Sequence, residues 1–269
     1  MEEKITIGII VAMDKELALF SMNDKYEKVR TSTTNGFTFE SYNIKGARVV
    51  VTKSGIGKVN AAVATTLMSE LFHPDYIISS GVCGFLAPMA KKVHQGDIVL
   101  SAKVHYHDVY CGSDCPNQIQ GMPEFFPTFF NSSISRAICD ENLPRVFLTN
   151  IITGDYFVDT YQKAKEIYLH HLDPDEKFDL SKTTLRIGEA LDMESAAIGQ
   201  VCYLFKIPFG SLRIVSDTPL DTDAPSYESF WDFAGERLHY AVIAVIKYII
   251  KYDDEIQKNI YIEDVNEED

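Results

Sequence analysis

Two short clusters in this 269-residue chain have residue types and spacing suited to acid–base chemistry. One is Leu212-Arg213-Ile214-Val215-Ser216-Asp217, an apolar strand that ends on an arginine and a serine–aspartate pair. The other is Leu191-Asp192-Met193-Glu194-Ser195-Ala196-Ala197, an acidic cluster that opens a helical pattern. An apolar strand has no structural need for a terminal Asp beside Ser, and strand ends of open α/β sheets are where such folds place their chemistry. A third acid, Glu16, follows the first apolar run in Ala12-Met13-Asp14-Lys15-Glu16. Three acids at strand-to-helix junctions of one sheet can converge over one crevice. Opposed carboxylates in separate environments cleave glycosidic bonds, one as acid and one activating water. The residues therefore point to a hydrolase or transferase acting on a sugar-like bond. Asp192 reads instead as an N-cap or a surface charge.

Other stretches carry weaker signals. Gly55-Ile56-Gly57-Lys58 precedes an Ala-rich helix, the recipe for an anion site, because free backbone N–H groups and the helix dipole face outward. It lacks the spacing of a P-loop or a dinucleotide fold, and close helix–strand packing through small residues is the competing reading. Gly81-Val82-Cys83-Gly84 is a second glycine turn after a buried strand. In His105-Tyr106-His107-Asp108, two histidines share one strand face and could hold a metal. No further histidine cluster completes a set, which favours a structural role. Cys111 and Cys115 have no second pair and read as loop.

The elements that must position these residues alternate. Ile5–Ala12 is a buried strand, with Asp14 as the N-cap of a short helix. Phe37–Ile44 and Ala47–Thr52 form a hairpin about Asn35-Gly36 and Lys45-Gly46. The helix Val59–Phe72, the strands Tyr76–Ser79, Asp97–Val104 and Val146–Thr153, and a partly helical Phe125–Asn142 follow. Thr160–His170 and Met193–Phe205 read as helices, Phe209–Val215 as a strand and Tyr227–Lys251 as a long terminal helix. Strands alternating with helices imply an α/β fold, a single domain with a central mixed, largely parallel sheet flanked by helices. The domain spans residues 1–252, and 253–269 is an acidic C-terminal tail.

Composition excludes several classes. Hydrophobic residues make up 46% of the chain, enough for a sizeable core. Of the formal net charge of −14, half falls after Tyr252, where eight acids face one base, Lys258. Such a tail reads as a solvated extension. Without a basic stripe the chain has no footprint for nucleic acid. It has neither a secretory signal nor an apolar run long enough for a membrane span. Five scattered cysteines fit reduced thiols in the cytoplasm.

The same segments resemble the nucleoside phosphorylase/nucleosidase superfamily, most closely its 5′-methylthioadenosine/S-adenosylhomocysteine nucleosidases. The matching stretches are Ile7 to Met13 with Glu16, Lys53-Ser54-Gly55-Ile56-Gly57-Lys58-Val59-Asn60, Pro74-Asp75-Tyr76-Ile77-Ile78 and Gly96-Asp97-Ile98-Val99. Tyr106-His107-Asp108, Gly154-Asp155-Tyr156-Phe157, Asp192 to Ala197 and Arg213 to Asp217 complete the set, in family order over residues 5–240. The resemblance implies hydrolysis of an N-ribosyl bond with release of adenine, by a homodimer that needs no metal or organic cofactor. It implies that Glu16 activates water and that Asp217 protonates N7 of the departing purine. It further implies that Glu194 holds the ribose hydroxyls, that Arg213 steadies this carboxylate and the water, and that Ser216 places Asp217. Phe157 would stack on the adenine, the backbone of Val158 would read its edge, and Met193 would pack beneath the sugar.

Phosphorolytic relatives carry phosphate-clamping arginines early in the chain and before the glycine turn. Here those places hold Ala12-Met13-Asp14-Lys15-Glu16 and Ser79-Ser80, which favours water as the nucleophile. Where the nucleosidases have Gly-Ser-Ala-Gly-Gly, this chain has Gly81-Val82-Cys83-Gly84-Phe85. Val82 thus replaces a serine in the substrate site. The segment Val109 to Pro116 is shorter than usual and lacks the expected aromatics. These departures keep three alternatives open: a nucleosidase for another purine nucleoside such as a futalosine-like or AMP-like one, a purine nucleoside phosphorylase, and a non-catalytic nucleoside-binding homologue.

Overall fold

The structure, a computed structural model, describes residues 5–21, 26–85, 93–111, 119–143, 145–160, 162–163, 166–167, 190–217 and 227–265. The first apolar run forms β1 (Thr6–Val11), and in α1 (Asp14–Ser21) Asp14 is the first helical residue rather than the expected N-cap, its side chain pairing with Lys53. A meander follows: β2 (Glu27–Thr34), β3 (Phe37–Ile44) and β4 (Ala47–Lys53). Its turns have positive φ at both central residues, 49° and 84° at Asn35-Gly36 and 54° and 98° at Lys45-Gly46. That is the backbone twist that two-residue hairpins favour. Next come α2 (Lys58–Phe72), β5 (Tyr76–Phe85), β6 (Ile98–Tyr106), β7 (Phe126–Pro127) and α3 (Ser132–Ile138). The described chain ends with β8 (Val146–Thr153), β9 (Ala190–Asp192), α4 (Ser195–Phe205), β10 (Phe209–Asp217) and α5 (Tyr227–Val265).

The centre of the sheet is parallel, with β4, β1, β5 and β10 paired in that order. β10 then pairs antiparallel with β6, β6 and β8 run parallel, and so do β8 and β9. β9 returns antiparallel onto the last residues of β5. Strands β5, β10, β6, β8 and β9 thereby close a ring, and β1, β4, β3 and β2 extend from it as an open wing. The sheet is mixed as expected, with parallel pairs both in this centre and among β6, β8 and β9.

Both faces are buried, which explains the unbroken apolar runs. Along β1, Ile7, Ile9 and Val11 enter one core with α5, while Ile10 enters the other with α2 and α4. The helix expected to end at Lys251 continues to Val265, past non-helical backbone at Tyr252. The start of the acidic segment is docked on the domain: Ile256 is buried, and Tyr76 donates its hydroxyl to Asp253. The expected Thr160–His170 helix lies mostly outside the described residues, as does Cys115. No helix is long and apolar enough to cross a membrane.

Candidate active site

Strand ends β1, β4, β5 and β10 meet β8 and β9, which arrive from the opposite direction, around a cavity of about 240 Å³. Glu16, Glu194 and Asp217 all line it. So do Val82, Phe157, Val158, Met193 and Ser216, which places every expected site residue at the cavity wall except Arg213.

Glu16 sits in the first turn of α1 and is 1% exposed. Its Oε2 accepts the backbone N–H groups of Ala12 and Met13 at 2.8 and 2.9 Å, and Oε1 accepts that of Val82 at 3.1 Å. Burial pushes its carboxyl above the usual range, opposed by the Arg213 charge and by these three donors. Gly81 has a steric reason to be glycine, because a Cβ there would collide with Glu16 Oε1 and stand 2.5 Å from Arg213 Nη1.

Alternation along β10 sends Leu212 and Ile214 into the core with α5, and Arg213 to the opposite face. Arg213 is 1% exposed and lies behind the cavity wall. Its Nη2 is 2.7 Å from Asp192 Oδ2 and 3.8 Å from Glu194 Oε2, and it donates to Ser79 Oγ at 2.6 Å. Nε donates to Ser211 Oγ at 3.2 Å. Burial works against its charge, and Asp192, Glu194 and Glu16 more than offset it.

Asp192 is not a surface charge. It is buried, caps α4 through the backbone N–H of Ser195 at 3.2 Å, accepts the Thr153 hydroxyl at 2.6 Å and is Arg213's nearest carboxylate. Polar Ser79, Ser195, Ser211 and Thr153 complete this buried network. The sequence signal for it is the placement of small hydroxyl residues inside otherwise apolar strands and helices, where a buried charge needs partners.

Glu194 is 5% exposed, and its Oε1 accepts the backbone N–H of Gly57 at 3.0 Å. Burial, with Asp192 and Glu16 nearby, outweighs Arg213 and the Gly57 donor and pushes its carboxyl up to about 7. The anion-site reading of the glycine turn is thus realised with the protein's own anions. Glu194 occupies the N–H of Gly57, and Asp155 Oδ1 accepts that of Lys58 at 2.7 Å.

Ser216 sits at a register shift between Val215 and Asp217, where β10 steps against β5. Bulges re-aim side chains beside active sites, and here both Ser216 and Asp217 reach the cavity. Ser216 donates its hydroxyl to Asp217 Oδ1 at 2.6 Å. Burial raises the Asp217 carboxyl, with the Ser216 hydroxyl opposing.

The rest of the wall includes residues to which the sequence had assigned no role, Met13, Ile56, Cys83, Tyr156 and Leu191, and also His107, read from the sequence as structural. Phe157 is 66% exposed. Phe85 is 1% exposed in the core and does not line the cavity. His107 lines the cavity, whereas His105 packs against the Phe125 ring and does not. Among the described residues, no group of three His, Cys, Asp or Glu side chains is placed to hold a metal.

Fold and site together define a phosphorylase-type α/β protein. The pattern of the phosphorylase superfamily matches residues 6–250, and the chain belongs to that superfamily. Within it, the chain is similar to a 5′-methylthioadenosine/S-adenosylhomocysteine nucleosidase of Shewanella loihica, 34% identical over 250 residues that cover 90% of this chain and 99% of the relative. The nucleosidase structure of Neisseria meningitidis, in complex with methylthio-immucillin-A, superimposes with a TM-score of 0.73 at 28% identity, covering 90% and 99% of the two chains. That of Colwellia psychrerythraea, in complex with adenine, gives 0.73 at 26%, covering 90% and 94%.

Proposed function

We propose that this protein is a purine nucleosidase that hydrolyses the N-ribosyl bond of 5′-methylthioadenosine, S-adenosylhomocysteine or both, releasing adenine. The observation that carries this reading is the meeting of Glu16, Glu194 and Asp217 on one cavity. Glu16 is the water-activating base: three backbone donors fix its oxygens beside the cavity. Asp217 is the acid, with burial favouring the protonated form that can be given to N7 of the leaving base. General acid–base catalysis of this kind contributes about 10²–10⁴-fold. Glu194 accepts the ribose hydroxyls and so places negative charge near the oxocarbenium-like transition state. Arg213 acts from behind the wall by holding Glu194, Met193 packs beneath the sugar, Phe157 stacks on the purine and Val158 reads its edge.

Hydrolysis is favoured over phosphorolysis because no arginine lines the cavity among the described residues. The α2 N-terminus, the nearest ready anion site, already holds Glu194 and Asp155. A reduced cytoplasmic setting, a homodimeric state and a place in nucleoside catabolism and methionine salvage belong to the same proposal. The resemblance supports them, and the buried free thiols Cys83 and Cys202 fit the reduced setting alone. The 1–252 domain with its acidic extension is the unit proposed to act.

The test is incubation with a purine nucleoside panel, with and without inorganic phosphate, followed by chromatography. Free adenine and a free thio-sugar, in amounts indifferent to phosphate, are expected. A sugar 1-phosphate would make the protein a phosphorylase. Adenine binding without release from any nucleoside would make it a binding homologue.

A further inference from the structure

The glycine turn before α2, the Tyr106-His107-Asp108 stretch and the Gly154-Asp155-Tyr156-Phe157 stretch are far apart along the chain. The roles proposed above leave their charged residues Lys58, Asp108 and Asp155 unused. The structure gathers all three at one edge of the cavity. Lys58 Nζ lies 2.7 Å from both Asp108 Oδ1 and Asp108 Oδ2. Asp155 Oδ1 accepts the Lys58 backbone N–H at 2.7 Å, and its Oδ2 is 4.0 Å from Lys58 Nζ. Asp108 Oδ2 also accepts the Asp155 backbone N–H at 2.8 Å. Each residue binds the other two, so three loops are joined at one point.

Lys58 is the first residue of α2, where a cation opposes the helix dipole. Helix stability alone gives no reason for a lysine there, and the two aspartates supply one. A lone exposed ion pair contributes little. This one is bidentate, its Lys58 and Asp108 side chains are only 20% and 23% exposed, and it is chained to two backbone amides. Each member also neighbours a group that meets the cavity or its acids. Gly57, whose N–H seats Glu194, precedes Lys58. Phe157, which is exposed and has little packing to hold it, follows Asp155 by two residues.

We propose that Lys58, Asp108 and Asp155 form a latch that positions Glu194 and Phe157 for ligand capture. They are positioning residues: they act through the Gly57 amide and the 154–157 loop. What the latch serves rests on the nucleosidase reading, whereas the latch itself is a property of the fold. Side chains held on loops need such supporting contacts to keep a productive geometry.

The test uses the full chain with Lys58→Met, Asp155→Asn, the double variant and the conservative Lys58→Arg. Amide hydrogen exchange is followed without ligand at residues 56–58 and 154–157, alongside kcat and KM for adenine release. In Lys58→Met, exchange in those segments should rise about tenfold while β5 amides stay unchanged. KM should rise about tenfold and kcat should fall by less, about threefold, since Phe157 acts in binding and Glu194 in both binding and the transition state. The double variant should be no worse than the more damaged single one, because the three residues act as a unit. Lys58→Arg should recover most of the loss. Unchanged exchange overturns the latch, and faster exchange with an unmoved KM overturns its role in capture. If the wild-type protein releases no adenine from any nucleoside, the nucleosidase reading falls, and the exchange measurement alone then decides the latch.

Discussion

The carboxylate of Glu194 is seated on the backbone N–H of Gly57 at 3.0 Å, so an acid at the start of α4 plugs the N-terminus of α2. A helix N-terminus favours the ionised form, yet burial dominates and the group titrates near 7 instead of its ordinary 4.5. Between those two pH values the folded chain keeps a proton that the unfolded chain has released. Stability therefore falls as pH rises from about 4.5 to about 7 through this group. Glu194→Gln should flatten that part of the curve, as read from urea midpoints across the same pH range. Because ionised Glu194 accepts the ribose hydroxyls, kcat/KM of the wild type should rise through about pH 7. An unchanged slope in the glutamine variant would remove Glu194 as its source.

Asp217 needs its proton to act, and burial already favours that form. Asp217→Asn keeps the shape and the partner oxygen for Ser216 but cannot protonate the departing purine. We expect kcat to fall by about 10²–10⁴-fold, while adenine affinity measured by calorimetry changes only a few-fold. Near-native single-turnover adenine release from Asp217→Asn would refute the leaving-group role.

Asp192 is the closest counterion of a fully buried guanidinium, at 2.7 Å. Removing one partner of such a pair leaves an uncompensated charge in the interior, typically costing 3–5 kcal/mol. Glu194 and Glu16 remain near Arg213, so Asp192→Asn should cost about 3 kcal/mol, the lower end. Chemical denaturation at neutral pH measures it. A loss below about 1 kcal/mol would mean that the serine hydroxyls, not the carboxylate, hold Arg213.

Much of this site was legible because its residues break local rules. An arginine and an aspartate in an apolar strand, and a glutamate opening a helix of Ala, Ile and Val, have no packing rationale, so their types alone mark them. The parallel centre was equally plain, since two buried faces produce unbroken apolar runs such as Ile7 to Val11. What escaped was whatever depends on long-range pairing. β9 has three residues, too few for a periodicity, and it exists through pairing with both β5 and β8. The burial of Asp192 follows from the position of Arg213, which sequence spacing does not fix. The continuation of α5 past Lys251 follows from tertiary contacts of Asp253 and Ile256, against a run of acids that by itself suggests a solvated tail.

Val82 shows how a side-chain difference can leave a backbone function intact. The resemblance places a serine here, and its hydroxyl is absent from the water site. In the structure the support for Glu16 at this position is the Val82 N–H, which any residue but proline supplies. Val82→Ser should therefore change kcat by less than about threefold, with a stability loss of about 1 kcal/mol from the deleted methyl groups. Glu16→Gln is the contrasting change. Glu16 accepts on both oxygens, from Val82 on one and from Ala12 and Met13 on the other. An amide group has only one acceptor end, so either side must face a backbone donor with its own N–H. That variant should lose at least about 10²-fold in kcat as base and geometry fail together. Steady-state adenine release from both variants decides the matter, and a gain of tenfold or more in Val82→Ser would show that the hydroxyl, and not the backbone N–H, is what the water site requires.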